Sequence, residues 1–279
     1  QLVPALAGRA GRIVVFQRSA PWTLPKPDRR YRRTPVGARA ATWVLTLVQG
    51  AAVRRDGPAA ALVRLASHAQ RRRQIKDPEL RAKVRPTDPL GCKRILFTNA
   101  WLPALTRPDV DLVTTPIAEI LPHGIRTTDG TDHRIDVLIW GTGFAATEFL
   151  APIRVEGRAG VKLADEWRDG ARAHLGMTVP GFPNMFLIYG PNTNTGNTSV
   201  IYFHEAQARY LAQAVTRLAA GSPPWEVRRD VAQTFDAEMQ RRLAGGIWTA
   251  CRNWYRDAAG RVVTNWPGSA AEYRRRTAR

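Results

Sequence analysis

Apolar and polar positions recur with two different periods along this chain. Gln1–Leu6 reads as the body of a helix that ends between Gly8 and Gly11, and the β-branched run Arg12–Phe16 (RIVVF) reads as a strand. Thr42–Val53 and Pro58–Ile75 carry apolar residues three and four apart, Leu62, Leu65 and Ala69 among them, which marks amphipathic helices. Pro78, Pro86 and Pro89 punctuate the chain after that. Strands are predicted at Arg94–Thr98, Val110–Thr114, Ile117–Leu121 and Asp136–Trp140, with turns at His123-Gly124 and Asp129-Gly130. A further strand, Asn184–Ile188, runs into Gly190-Pro191. A long helix over Ser199–Ala219 aligns Val200, Phe203, Tyr210, Leu211, Ala214 and Leu218 along one side. Another repeats apolar residues at Val231, Phe235, Met239 and Leu243 in four-residue steps. Helices interleaved with short strands predict an α/β protein.

Within this pattern Ile135–Phe144 (IDVLIWGTGF) stands out: apolar residues predicted as a strand run into a glycine-flanked turn. Gly141-Thr142-Gly143-Phe144-Ala145-Ala146 fits the phosphate-binding G-x-G-x-x-A pattern. That pattern requires a following helix of about ten or more residues and a second strand. Pro152 limits any helix here to about two turns, because proline lacks the N–H and clashes with the preceding turn. No acidic strand end follows about 20 residues on. From the residues alone a phosphate loop and a purely structural turn both stay open.

Composition changes the picture at one point. The chain has 279 residues, enough for one large domain or two modest ones, and carries a formal net charge of +19. Arginines cluster at Arg29–Arg33, Arg71–Arg73 and Arg274–Arg276, far apart in sequence and without a nucleic-acid-binding motif. A nucleic-acid partner is therefore disfavoured, and a missing, more acidic segment is the better account of the charge. Two cysteines, Cys92 and Cys251, make no disulfide framework, which favours a reducing compartment; with no leader and no long apolar run, the expectation is a cytoplasmic protein without a membrane span. The five histidines show no metal-ligand spacing and no G-x-S-x-G elbow is present.

Five stretches in order resemble one family. They are Val14–Pro25 (VVFQRSAPWTLP), Gly91–Leu105 (GCKRILFTNAWLPAL), Ile135–Phe144, Pro180–Ser199 (PGFPNMFLIYGPNTNTGNTS) and Trp248–Tyr255 (WTACRNWY). Together they are similar to the Baeyer–Villiger type of flavin-dependent monooxygenase. Ile135–Phe144 departs from the family's D-x-(apolar)-x-x-A-T-G-F run by Gly141 in place of alanine. The resemblance implies FAD and NADP as cofactors, and an incomplete fold of two dinucleotide-binding domains with a helical insertion. Residues 1–139 would be the remainder of the NADPH domain, with the insertion at about 29–90, and 140–279 part of the FAD domain. Ile135–Phe144 would then be the crossing between them. The reaction implied is insertion of one oxygen atom of O2 into a ketone or aldehyde, or oxidation of a heteroatom, through a flavin C4a-peroxide.

Residue by residue, Arg18 follows the strand Arg12–Phe16, where a dinucleotide fold addresses the adenosine ribose, and an arginine there accommodates the NADP 2′-phosphate. The resemblance gives Arg18 and Ser19 that role, adds Lys93 to it, and makes Arg94 the cation that stabilises the anionic peroxyflavin. Arginine suits this because it keeps its proton near neutral pH. By resemblance Gly143, Phe144, Asn192, Thr198, Ser199 and Val200 are flavin-side residues, and Trp254 lies against the nicotinamide cofactor. The helix following Gly190–Ser199 would offer free N–H groups to a negatively charged ring edge. A helix and strand at the start, without the preceding strand and glycine loop, imply an N-terminally truncated chain lacking its FAD and NADPH fingerprints. Its expected partners are a small organic substrate, O2 and the missing N-terminal half. A basic nucleic-acid-binding fragment, or an inactive fragment needing a partner chain, is the alternative.

Overall fold

The computed structural model describes residues 1–26, 37, 44, 57–196 and 198–278. The predicted helix Thr42–Val53, apart from Val44, and the cluster Arg29–Arg33 lie outside the described residues. The chain divides into two units, Gln1–Gly143 and Phe144–Arg279.

The first unit opens with helix α1 (Leu2–Leu6) and strand β1 (Ile13–Phe16), as the sequence predicts. Strand β1 lies parallel to β4 (Val110–Val113), with Ile13 opposite Val110 and Phe16 opposite Val113. A second parallel pair joins β2 (Thr23–Leu24) to β3 (Leu96–Phe97). Between them run α2 (Pro58–Gln74), with proline in its first turn, and α3 (Pro78–Lys83), whose N-cap Asp77 accepts hydrogen bonds from Glu79 and Leu80 N–H. Helix α4 (Trp101–Leu105) precedes β4. An antiparallel meander follows: β5 (Ile117–Leu121), β6 (Gly124–Thr127) and β7 (Asp132–Arg134). One core gathers Ile75, Val84, Leu102, Leu105, Val110 and Leu112; another packs Leu24, Ala60, Val63 and Leu90. Each Leu, Ile or Val side chain among these contributes roughly 1.5–3 kcal/mol on full burial.

The second unit is largely loops and helices: α5 (Leu163–Glu166), α6 (Val200–Ala219), α7 (Arg229–Leu243) and α8 (Ala270–Thr277). Its main core joins Phe203 and Ala206 of α6, Phe235, Met239 and Leu243 of α7, and Tyr255, Val262, Trp266 and Tyr273. The apolar faces predicted for α6 and α7 are therefore the ones that pack, although Val231 at the start of α7 is exposed. Buried Tyr273 donates to Leu175 O at 2.6 Å and accepts from Gln207 Nε2 at 2.9 Å. Arg242 pairs with Glu272 and Arg276 with Glu238, so part of the basic C-terminal cluster is neutralised internally.

Four expectations need correction. Asp136–Trp140 is not a strand, and Val137, Ile139 and Trp140 are exposed. A strand needs a neighbour to take its N–H and C=O groups, and no described residue supplies one here. Asn184–Ile188 is not a strand either: Asn184 has φ 58° and bonds to Trp225, and Leu187 N–H reaches Met177 O, so its bonds go to loops. On α2 the buried residues are Ala60, Val63, Ser67, Gln70 and Arg71, whereas Leu62 and Leu65 are exposed. The helix docks through Ala60 and Val63 onto Leu24 and Leu90, and that choice of face overrides the leucines. Finally, neither cysteine is a free thiol, so the cysteine count does not carry the redox argument made from it. No helix among the described residues is long and apolar enough to cross a membrane.

Candidate functional site

In the first unit the fold brings together residues far apart in sequence. Strand β1 delivers Arg18 and Ser19 just beyond its C-terminal end, and the segment before β3 delivers Lys93 and Arg94. Lys93 Nζ donates to Ser19 Oγ at 2.8 Å across a separation of 74 residues. The same ammonium pairs with Asp88 at 2.6 Å, and both side chains are about three-quarters buried. Asp88 was not foreseen; it sits in a polar loop beside Pro89, and only the fold shows that its carboxylate meets Lys93. Trp22 N–H holds the Asp88 carbonyl at 2.9 Å, which fixes that loop against β2. Arg18 is exposed, and among the described residues it makes no hydrogen bond or ion pair. Arg94 is likewise exposed and unpaired among the described residues. The result is a lysine and a hydroxyl in contact, beside an arginine whose donors stay available: a donor set that suits a phosphate.

The segment predicted to face the flavin, Gly190–Val200, is built in the second unit. Asn192, at φ 58°, is buried, and its side-chain amide donates to Val262 O at 2.9 Å and Asn265 O at 3.0 Å. Asn194 N–H and side chain then bond Thr264 O and Asn265 Oδ1. The loop is thus pinned to residues 262–266, a support that only the fold reveals. Gly176 backs it from the other side. At φ 67°, a β-carbon on Gly176 would lie 2.1 Å from Thr193 Cγ2 and 2.7 Å from Pro191 O. Thr198 is half-buried, its carbonyl accepting from Thr195 Oγ1, and Ser199 is the exposed N-cap of α6. Ser199 makes no side-chain cap hydrogen bond, and the first turn of α6 holds no acidic residue. Among the described residues no side chain caps the leading N–H groups of this 20-residue helix, as an anionic ligand would need.

The glycine turn behaves differently from a phosphate loop. No strand precedes Gly141, no helix follows Ala146, and a β-carbon on Gly141 or Gly143 would meet nothing within 4 Å. Gly143 takes φ 94°, at the end of the first unit, and Phe144, which opens the second, is 96% exposed. Trp254 is 46% exposed and lies tilted on Tyr255 with ring centroids 4.5 Å apart, so one core aromatic supports it while much of the indole faces outward. Among the described residues there is no group of side chains able to hold a metal ion.

No family model matches the chain. Curated relatives do. A Baeyer–Villiger monooxygenase of Streptomyces coelicolor is 34% identical over 294 residues, covering 100% of this chain and 57% of the relative. One of Pseudomonas aeruginosa is 34% identical over 304 residues, covering 98% and 55%. An FAD-binding monooxygenase of Aspergillus niger is 33% identical over 299 residues, covering 99% and 48%. The chain thus spans about half the length of the curated relatives it matches. Among solved structures, a cyclohexanone monooxygenase from Rhodococcus sp. Phi1 bound to NADP+ aligns with TM-score 0.85 at 21% identity, over 99% of this chain and 62% of that one. An oxidized steroid monooxygenase bound to NADP aligns with TM-score 0.81 at 24% identity, over 100% and 62%. These structural likenesses establish the mixed α/β fold of the flavin monooxygenases. Matched from end to end by sequence and by fold, the chain belongs to the Baeyer–Villiger monooxygenase family.

Proposed function

We propose that this chain carries parts of the NADP and FAD sites of a monooxygenase that inserts one oxygen atom of O2 into a ketone or aldehyde, or oxidises a heteroatom. The observation that carries this reading is the Lys93–Ser19 hydrogen bond, which assembles a phosphate-binding set beside Arg18. Residues 1–139 would contribute to NADPH binding and 140–279 to FAD binding. When bound, NADPH supplies a hydride and FAD the chemistry that activates oxygen.

The residues divide that work by their chemistry. Arg18 offers a planar fork to the NADP 2′-phosphate, Lys93 a point charge and Ser19 a hydroxyl. Asp88 holds the Lys93 ammonium in place. Arg94 supplies a permanent positive charge to the oxidising centre, where a fixed cation favours anionic oxygen without reorganising. The N–H groups of Thr198, Ser199 and Val200, at the positive N-terminal end of α6, attract the electron-rich edge of the flavin. Asn192 keeps that loop in register through Val262 and Asn265. Gly143 and Phe144 lie where the chain passes between the cofactor regions, and Trp254 presents an aromatic face to the nicotinamide.

Titration calorimetry with NADP+ and NAD+ tests the reading on the chain itself. Wild type should prefer NADP+, and Lys93→Ala should weaken NADP+ at least tenfold while leaving NAD+ unchanged. Equal affinity for the two nucleotides, or a Lys93→Ala loss of the same size for both, would reject the assignment.

A further inference from the structure

The first unit contains a second basic feature that the NADP and FAD assignments do not use. Arg64, His68 and Arg71 stand at positions i, i+4 and i+7 of α2, and so share one helical face. Arg81 of α3 and Arg85 just beyond it are four residues apart. These five side chains and Trp22 line a cavity of about 550 Å³, within the size range of small-molecule sites. No carboxylate among the described residues lines it, and neither do Arg18, Ser19, Lys93 or Arg94.

Arg71 is the key group. It is 6% exposed, its Nη1 donates to Ser67 Oγ at 2.7 Å, and its guanidinium lies 5.9 Å from the Trp22 ring centroid. Neither contact neutralises it. Burial, and then the neighbouring charge of Arg85, push its pKa below the ordinary arginine value. A buried cation with a second cation beside it is costly unless an anion completes the site. Arg81 is already partly engaged, donating to Ile75 O and Lys76 O at the end of α2. Arg85 is exposed, and its side chain makes no hydrogen bond or ion pair among the described residues.

We infer that this cavity binds the phosphate group of a small phosphate ester, with Arg71 and Arg85 holding the phosphate and Trp22 flanking the organic part. Arginine forks match phosphate geometry, and the cavity is larger than inorganic phosphate alone requires. The indole and two lining prolines give it an apolar wall.

Phenyl phosphate and inorganic phosphate, titrated calorimetrically into the full chain, test this. Phenyl phosphate should bind saturably and more tightly than inorganic phosphate, and more weakly as sodium chloride is raised. Arg85→Gln, an exposed position whose change spares the core, should weaken phenyl phosphate at least tenfold, and Arg71→Lys should weaken it while retaining the charge. Lys93→Ala should leave it unchanged, which separates this site from the proposed NADP site whether or not that assignment holds. Absence of saturable binding, equal binding by Arg85→Gln and wild type, or an equal loss in Lys93→Ala would overturn the inference.

Discussion

Asn192 offers the sharpest test of how the Gly190–Val200 loop is held. Replacing it with alanine removes two buried hydrogen bonds and places an ordinary side chain at φ 58°. The two carbonyls left behind are not equivalent. Val262 O also accepts from Gln240 Nε2 at 3.3 Å, so it keeps a partner and should lose about 1 kcal/mol. Asn265 O has no second donor among the described residues, so its loss should approach the cost of a buried unsatisfied acceptor, about 1–3 kcal/mol. Left-handed backbone at alanine adds about 1 kcal/mol that asparagine largely avoids. Asn192→Ala should therefore lose about 3–5 kcal/mol in urea unfolding. Asn192→Gly relieves the backbone but not the hydrogen bonds, and should retain roughly half to one kcal/mol relative to alanine. Asn192→Asp puts a carboxylate oxygen against two carbonyls and should be the worst of the three at neutral pH. It should recover partly, relative to wild type, as the pH falls toward about 4 and that carboxylate protonates. A loss below about 1 kcal/mol for Asn192→Ala, or no recovery of Asn192→Asp in acid, would refute the idea that this amide pins the loop.

Other outcomes follow from the same structure. Gly176→Ala should destabilise by more than about 2 kcal/mol or fail to accumulate as soluble protein, since its β-carbon meets the backbone at Pro191 O 2.7 Å away as well as Thr193; soluble yield and thermal unfolding report this. Tyr273→Phe should cost about 1–3 kcal/mol in denaturant unfolding, because it strips Leu175 O of its 2.6 Å donor and Gln207 of an acceptor. Stability should fall in acid in two stages. His174, whose pKa burial and then Arg276 lower, favours the neutral ring, so its contribution is present above the ordinary value of 6.5 and is lost as the pH falls through the depressed folded value. Glu238 and Glu272 are lowered chiefly by hydrogen bonds from Arg276 and Arg242 respectively, so their contribution is present above 4.5 and is lost as the pH falls below it. Glu238→Gln should be less stable at pH 7 and show a shallower acid limb below pH 4.5 when melting is followed across pH.

The sequence by itself determined the elements that depend on local periodicity. Helix α6 forms where its apolar residues line one side, of which Phe203 and Ala214 are buried, and α7 where four-residue steps align Phe235, Met239 and Leu243, all three buried. Strands β1, β4 and β5 fall within a residue of their β-branched or alternating runs. The ordered blocks that resemble the monooxygenases also identified the family, since identity is carried by residues in sequence. The tertiary structure decided what periodicity cannot encode. Ile135–Phe144 has the composition of a strand but no described neighbour to complete its backbone pairing, so Asp136–Trp140 is not one. Helix α2 has two apolar stripes, and docking on Leu24 and Leu90 selected Ala60 and Val63 over Leu62 and Leu65. Asp88 against Lys93, and Val262 and Asn265 against Asn192, are partners 5 to 73 residues away, with no shared local pattern. Periodicity reports which face of an element is apolar; only the packing of that element against others fixes which face is buried and which side chains meet across the chain.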